Sequence, residues 1–266
     1  ADSDEDPTRS ANDGDHGTSV ACLIAAKGWN NIGGRGVAPN ASLIGYNYLK
    51  NQTISNQLKA WGSNPPVSVD VDIFNMSYGF GYGEDEDGDP NTTYNLPQYL
   101  STTKEDGLVN GVTNLRDGKG AIYIKSAGND YDTSPNGDCG NSVSCTEMVI
   151  DPHNGVPYII HVGSLNATGS VSSYTTSGSA IWISGFGGEY GDNSTYTSAG
   201  DPAMMTTDQS GCTNGYVGAN GKTQSNQFED NSGGYSENSS CNYTSTFNGT
   251  SSAAPTVAGV VALMLE

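Results

Sequence analysis

Positive charge is scarce in this chain of 266 residues, in which 10 Lys and Arg stand against 29 Asp and Glu. The formal net charge of −19 argues against nucleic acid as a partner, because nucleic-acid binding needs cations that neutralise phosphates. It also disfavours an anionic membrane surface, whereas metal ions and basic peptide segments are compatible partners. An equally good explanation is that the charge keeps an exported protein soluble.

Long apolar runs are also lacking. No segment is long and apolar enough to span a membrane, and none resembles a signal peptide. The chain opens directly in acidic loop sequence, so we expect that an earlier segment was removed or not included.

The five cysteines show no CxxC spacing, which argues against the usual zinc-binding elements. Cys139 and Cys145 frame a short polar loop, and Cys212 and Cys241 frame a longer loop rich in Gly, Asn and Ser. Disulfides across both loops would fit an oxidising compartment. Cys22 lies in an apolar segment and is expected to be a buried free thiol.

Short apolar, β-branched runs alternate with segments of helical pattern along the chain. The runs predicted as strands are 41–49, 71–79, 120–129, 157–165 and 179–188. The predicted helices between them cover 19–28, 54–62 and 98–118. Several strands are continuously apolar, as in sheets buried on both faces, so we predict an α/β, doubly wound, mostly parallel sheet with helices on both faces. No repeat or linker marks a second domain.

The last segment, 247–266, has a small-residue turn followed by Ala, Val, Leu and Met on nearly every face. This composition predicts a helix that is buried all round. The segment ends at Glu266 without a glycine cap or a polar exit, so we expect the chain to be cut there as well.

Three separate segments carry side chains that could act together in catalysis. Ser251 lies where the turn meets the last helix, Asn129 follows a predicted strand, and His16 begins a predicted helix. Alone, each has a plainer explanation, as a helix-capping serine, a turn residue and a surface histidine. Together they would supply a nucleophile, an oxyanion donor and a base.

Four motifs in this order, HGTSVACLIAA, NMSYG, SAGN and NGTSSAAPTVAGVVALMLE, resemble the subtilisin superfamily of serine proteases. Most of residues 4–266 share the resemblance, which is nearest to the kexin and furin branch with its bacterial members. It implies one peptidase catalytic domain over 1–266, truncated at both ends. It also implies that His16 is the general base, Ser251 the nucleophile and Asn129 the oxyanion donor.

The resemblance further implies a binding site for an extended peptide with basic residues. Ser77, Tyr78 and Gly79 match the strand that pairs with the substrate backbone, a form of β-augmentation. Asp138 roughly matches the acid at the base of the specificity pocket. The acidic cluster at 83–90 follows the substrate strand, where kexins place acids for basic residues, although a solvated loop explains it slightly better.

Two segments resemble the calcium-binding loops of this branch. One is the acidic cluster at 1–7, with Asp4 and Asp6, for which a solvated loop is the alternative. The other is KGWNNIGG, with the side chain of Asn30 and the nearby carbonyls of Ile32 and Gly34. Carboxylate and carbonyl oxygens are the ligands that Ca²⁺ prefers, so we expect a structural Ca²⁺.

The chain departs from the family pattern at the aspartate of the triad. The family carries this residue well upstream of the histidine motif, and only 15 residues precede His16. Asp13 and Asp15 are too near the histidine in sequence to be convincing, so we expect the triad aspartate to be missing from this chain.

The sequence therefore predicts a secreted, calcium-stabilised serine endopeptidase that cleaves after Lys or Arg through an acyl-enzyme. Besides its substrates, the protein is expected to have a propeptide, a chaperone or an inhibitor as a partner. The alternative is a non-catalytic subtilisin-fold module that only binds peptides, and a weaker third is an acidic calcium-binding surface domain. A strand ending in Asp upstream of residue 1 would distinguish the enzyme from these alternatives.

Overall fold

The computed structural model describes residues 16–63, 71–80, 97, 99–131, 146–191, 202–217, 228–229 and 238–266. The chain divides into two compact units. The first comprises Ala1–Thr8, Ile44–Gly163 and Tyr174–Ile183, and the second comprises Arg9–Leu43, Ser164–Ser173 and Ser184–Glu266.

Four α-helices, two short 3-10 helices (Met148–Ile150 and Pro152–Gly155) and six strands are present in the described residues. The helices are α1 (His16–Ala25), α2 (Ile54–Ala60), α3 (Thr102–Asn114) and α4 (Thr250–Leu265). The strands are β1 (Ile73–Met76), β2 (Ile122–Ser126), β3 (Ile159–Leu165), β4 (Ile181–Phe186), β5 (Met204–Thr207) and β6 (Tyr243–Phe247). No helix in the described part of the chain is long and apolar enough to cross a membrane.

The main sheet has the strand order β1-β2-β3-β4. β1 pairs with β2 and β2 with β3, both in parallel, and α3 forms the connection from β1 to β2. Two parallel neighbouring strands need such a crossover connection. The α/β fold predicted from the alternation of strands and helices is therefore confirmed. β5 and β6 form a separate antiparallel pair.

The strand predicted at 41–49 is wrong, since this run forms no strand in the structure. Its apolar side chains do not share one environment: Leu43, Ile44 and Leu49 are about half exposed, while Tyr48 is buried beside Tyr78. An apolar run becomes a strand only where a neighbouring strand pairs with it, and composition alone does not reveal that neighbour.

The core of the first unit packs around β1 and β2. Phe74 of β1 stacks on Tyr123 of β2 with ring centroids 4.8 Å apart, and the Tyr123 hydroxyl donates to the carbonyl of Trp61 at 2.7 Å. Leu108 brings α3 into the same cluster. The hydroxyl of the buried Tyr123 therefore has a partner, and packing and hydrogen bonding together fix the position of the strands.

In the second unit, α1 packs against α4 and β5. Val20 and Leu23 of α1 form an apolar cluster with Phe247 at the end of β6. A disulfide joins Cys212 to Cys241, as the sequence predicts. Cys22 is a free thiol, also as predicted, but it is only half-buried because the buried face of α1 carries Val20 and Leu23 instead.

Helix α4 is buried over its first part and exposed over its last turns. Its buried residues end at Gly259, which lies against Val37, whereas Val260, Leu263 and Met264 are exposed. The prediction of a helix buried all round is therefore wrong for the second part. Val37 and Gly185 contact the helix within its first ten residues.

A network of charged and polar side chains is buried inside the first unit. Lys125 Nζ lies 2.7 Å from Asp151 Oδ2, and their side chains are 1% and 6% exposed. The other carboxylate oxygen of Asp151 accepts from His153 Nδ1 at 2.8 Å, and His153 Nε2 lies 2.9 Å from Gln57 Nε2. An amide nitrogen only donates, so Nε2 of His153 accepts, and the ring is neutral with its proton on Nδ1.

The ionisation of this network follows from burial and from the neighbouring charges. Burial alone would raise the pKa of Asp151, but Lys125 and His153 outweigh it and hold that pKa well below its usual range. Burial lowers the pKa of His153, against the attraction of Asp151. Asp151 is therefore charged and His153 neutral at neutral pH, which agrees with the hydrogen bonds.

We expect His161 to make the protein less stable in mild acid. Burial and the charge of Lys125 lower the pKa of His161 from 6.5 to about 4, while its Nε2 donates to the carbonyl of His153 at 3.2 Å. The unfolded chain thus binds a proton before the folded one does, so stability is complete above pH 6.5 and is lost towards pH 4. The loss attributable to His161 is about 3 kcal/mol, since one pH unit corresponds to about 1.4 kcal/mol.

The free energy of unfolding is measured by urea titration at intervals from pH 4 to pH 8, with tryptophan fluorescence as the signal. His161→Gln should unfold with a shallower pH dependence than the wild type, the remaining slope coming from His153 and other groups. An unchanged slope in the variant would contradict the role of His161.

Candidate active site

His16 lies at the start of α1 in the second unit and is half-buried. Its ring packs edge-on against Phe247, with 5.5 Å between centroids. Burial lowers the pKa of His16 below 6.5. The imidazole is therefore neutral at neutral pH, which is the state that a general base requires.

Three hydrogen bonds tie the first turns of α1 to β5. Ser19 Oγ donates to the carbonyl of Thr207 at 2.7 Å, and Thr206 Oγ1 donates to the carbonyl of Ser19 at 2.7 Å. Thr207 Oγ1 donates to the carbonyl of Thr18 at 3.1 Å. These bonds fix the turn that carries His16. Neither Thr206 nor Thr207 was predicted as a site residue, because two adjacent threonines carry no distinctive signal in the sequence.

Ser251 is the second residue of α4 and is half-buried. The turn before it needs glycine, because Gly249 has φ 90°. The adjacent Ser252 is buried and donates through Oγ to the carbonyls of Gly187 and Gly249 at 2.9 and 2.7 Å. Ser252 is thus bound to the backbone, and Ser251 is the more accessible of the two hydroxyls, at a helix start that presents N–H groups and a positive dipole end.

The structure places His16 and Ser251 in the same unit and on packed elements. α1 packs against α4, and Phe247, which contacts the His16 ring, is joined to Ser251 by the short turn through Gly249. The base and nucleophile that the sequence predicts therefore share one neighbourhood. Asn129 belongs to the other unit.

Asn129 is exposed on the turn that follows β2. Thr176 holds this turn from both sides of the asparagine: its Oγ1 accepts from the N–H of Asp130 at 2.8 Å, and its N–H donates to the carbonyl of Gly128 at 3.1 Å. The asparagine amide is therefore presented on a fixed turn at the carboxyl end of a parallel strand. Thr176 carried no signal in the sequence.

Ser77, Tyr78 and Gly79 follow directly after β1, which ends at Met76. They belong to no strand among the described residues, whereas the resemblance implied a strand, because a strand is defined by a paired neighbour. Side chains nevertheless fix them: Asn75 Nδ2 donates to Ser77 Oγ at 3.0 Å and Trp61 Nε1 to the Tyr78 hydroxyl at 3.1 Å.

The pair formed by Asp151 and His153 has the atoms of a catalytic dyad but not its accessibility. Both side chains are buried, and Gln57 donates to the nitrogen that would have to take a proton from a substrate or a serine. Among the described residues, no carboxylate is paired with His16. An acid that orients the His16 ring would have to come from outside them.

The loop around Asn30 offers neutral oxygen ligands. Asn30 Oδ1 accepts from the N–H of Ile32 at 3.1 Å, and Trp29, Asn31 and Gly33 adopt positive φ angles of 55°, 60° and 55°. Side-chain amide and carbonyl oxygens are ligands that Ca²⁺ accepts, so the donor chemistry fits this ion. In the described part of the chain, no group of three His, Cys, Asp or Glu could hold a metal.

Several predicted residues lie outside the described residues. These are Asp4, Asp6, Asp138, Cys139 and Cys145.

Known proteins resemble the chain over nearly its whole length. It is 36% identical to the Aeromonas extracellular serine protease of Aeromonas sobria, over 98% of this chain and 40% of that protein. It is 29% identical to the calcium-dependent protease of a Nostoc species, over 94% of this chain and 32% of that protein.

Solved structures agree with these relatives. The crystal structure of the serine protease of Aeromonas sobria superposes with a TM-score of 0.78 at 34% identity, over 98% of this chain and 42% of that chain. A second structure, a complex of that protease with the chaperone ORF2, gives 0.78 at 32% identity, over 98% of this chain and 41% of that one. The chain thus spans about two fifths of the length of the Aeromonas protease.

A model of the subtilase family, Peptidase S8, matches residues 1–266. The order of the motifs, the parallel sheet and the placement of His16 and Ser251 in one unit agree with that match. The chain belongs to the subtilase family.

Proposed function

We propose that the protein is a serine endopeptidase that hydrolyses peptide bonds through an acyl-enzyme. The observation that carries the proposal is the placement of a half-buried, neutral His16 in the same unit as Ser251, at the start of the packed helices α1 and α4. Membership of the subtilase family supports it.

In the proposed reaction, Ser251 Oγ attacks the carbonyl carbon of the scissile peptide, and His16 takes the hydroxyl proton. The negative charge that develops on the carbonyl oxygen is stabilised by N–H groups at the start of α4 and by the amide of Asn129. His16 then gives its proton to the leaving amine. Water hydrolyses the acyl-enzyme by the same route in reverse, with His16 again as the base.

The carboxylate that orients His16 comes from outside the described residues in this proposal. Such an acid holds the imidazole in the tautomer that can accept from serine, and its loss costs about 10⁴ in turnover where it has been measured. Within the described residues, Phe247 and the hydrogen bonds from Thr206 and Thr207 limit the movement of the ring and its helix.

We further propose that the enzyme acts outside the cell on substrates with basic residues. The relative from Aeromonas sobria is called extracellular, and the disulfide between Cys212 and Cys241 is of the kind that persists in oxidising compartments. The net charge of −19 attracts cationic peptides. The complex of the Aeromonas protease with a chaperone supports a chaperone as a partner here as well.

Removing the hydroxyl of Ser251 should abolish peptide hydrolysis. Ser251→Ala lacks the nucleophile, so kcat should fall about 10⁶-fold with little change in folding, as when the serine of a triad is removed. The measurement is turnover of a fluorogenic peptide by the intact protein. Ser252→Ala is the matched control, because it removes the adjacent hydroxyl and should leave turnover measurable. Undiminished turnover in Ser251→Ala would refute the assignment.

Peptides with Arg or Lys before the cleaved bond should be strongly preferred over peptides with Leu or Phe. If Asp138 lies in the specificity pocket, Asp138→Asn should reduce kcat/KM for the basic peptides by about 10-fold or more, since it removes a charged partner. Asp117→Asn removes the same charge from an exposed turn after α3 and should leave the preference unchanged. A preference for large apolar residues would contradict basic specificity and leave a general subtilase.

Calcium should stabilise the protein, as the name of the Nostoc relative suggests. A bound Ca²⁺ would cross-link the oxygens of the Asn30 loop, and binding to the native state alone raises the midpoint of thermal unfolding. Excess chelator should lower the midpoint, and Asn30→Ala should reduce the difference. Asn114→Ala, an exposed asparagine of α3, is the control. A midpoint insensitive to calcium and chelator would contradict the proposal.

A further inference from the structure

The backbone that follows the proposed substrate segment rests directly on the buried ion pair. The N–H of Phe80 donates to Asp151 Oδ2 at 3.2 Å, and the same oxygen lies 2.7 Å from Lys125 Nζ. A Cβ atom added to Gly79 would stand 2.5 Å from Asp151 Oδ2 and 2.8 Å from Lys125 Nζ. The chain at Gly79 and Phe80 therefore approaches the carboxylate as closely as a backbone can.

The aromatic ring of Phe80 provides a second attachment to the same network. It stacks on the ring of His153, with centroids 5.2 Å apart and an angle of 9° between the planes. The ring of His153 cannot turn freely, because Asp151 and Gln57 hold its two nitrogens. Lys104 Nζ lies 5.9 Å from the centre of the Phe80 ring. The backbone of Phe80 is thus fixed by Asp151 itself, and its side chain is fixed by His153, a partner of Asp151.

Stability alone is a poor explanation for this arrangement. A buried ion pair recovers the cost of removing two charges from water only with good geometry, and apolar residues of the same volume often stabilise a protein as well or better. Apolar residues, however, cannot accept a hydrogen bond from the N–H of Phe80. They therefore cannot fix the position of the backbone at Gly79 in the same way. A peptide that binds as an added strand needs such a preset backbone, since ordering it on binding would weaken the complex.

We infer that Asp151 is a positioning residue for the substrate backbone, acting through Lys125, His153 and the N–H of Phe80 on the segment Ser77–Gly79. The inference rests on the proposed function, in which this segment pairs with an extended peptide. Asp151 touches neither the substrate nor the reacting atoms in this scheme. Its role is to hold the segment where the peptide backbone can pair with it.

Gly79→Ala and Phe80→Leu test this inference without removing a buried charge. Gly79 has no positive φ, so an alanine there meets no backbone strain. Its Cβ atom would collide with Asp151 and Lys125, and this collision moves the segment away from the ion pair. Phe80→Leu keeps the N–H but loses the stacking on His153. Phe186→Leu, at an exposed phenylalanine, is the matched control.

The readout compares a long peptide with a small reagent. For a peptide that covers the segment, kcat/KM should fall roughly 10- to 100-fold in both variants, mainly through KM, as expected for the weakening of hydrogen bonds. The rate at which diisopropyl fluorophosphate labels Ser251 should stay within about twofold, because this reagent does not use the segment. Phe186→Leu should change neither value.

Asp151→Asn is measured beside these variants. The double variant Lys125→Met/Asp151→Asn is measured as well, because it removes both charges of the buried pair and leaves neither unpaired. Equal losses for the long peptide and the phosphorylating reagent, or unchanged KM in folded Gly79→Ala, would overturn the inference. A wild-type protein that hydrolyses no peptide and is not labelled at Ser251 would instead refute the proposed function, so the two failures are distinguishable.

Discussion

The carboxylate of Asp151 holds the first unit together, and the placement of the proposed peptide-binding segment depends on it. Its two oxygens accept from Lys125 on β2, from the N–H and the ring of His153, and from the N–H of Phe80. Gln57 extends the network to α2. A buried charge is tolerated only with such a set of donors, and the carboxylate thereby fixes the three segments of the chain that supply them.

In the second unit, neutral groups position the proposed catalytic side chains. His16 needs a defined position but no permanent charge, and it obtains one from a ring contact with Phe247 and from hydrogen bonds between the start of α1 and the end of β5. The turn through Gly249 then sets Ser251 at the start of α4, while Ser252 ties the same turn to the carbonyl of Gly187. The chemistry proposed for the site thus rests on backbone carbonyls that accept from short hydroxyl side chains.

The sequence predicted the parts of this structure that have local signals. Four of the five predicted strands, all four predicted helices and the α/β class follow from periodicity, small-residue turns and the order of motifs. The Cys212–Cys241 disulfide follows from two cysteines that frame one loop. The strand predicted at 41–49 was wrong because its apolar residues have no paired strand. The predicted burial of the last turns of α4 was wrong because burial depends on neighbours and not on composition.

The supporting residues of the site were not predictable for a related reason. Thr206 bonds to a residue 187 positions away, and Asp151 bonds to Phe80 across 71 positions. Such partners leave no periodic pattern, and a threonine or aspartate in a turn looks the same whether it supports a site or faces solvent. His153 was passed over as well, although it is one of only three histidines.

The claim that His16 and Ser251 act as base and nucleophile is tested most directly by locating a covalent adduct. The intact protein is treated with diisopropyl fluorophosphate, digested and mapped by mass spectrometry, beside His16→Ala. The account predicts one modified residue, Ser251, in the wild type and almost no modification in the variant, because serine attacks only when a base removes its proton. An adduct at another serine, or labelling of Ser251 at the same rate without His16, would contradict it.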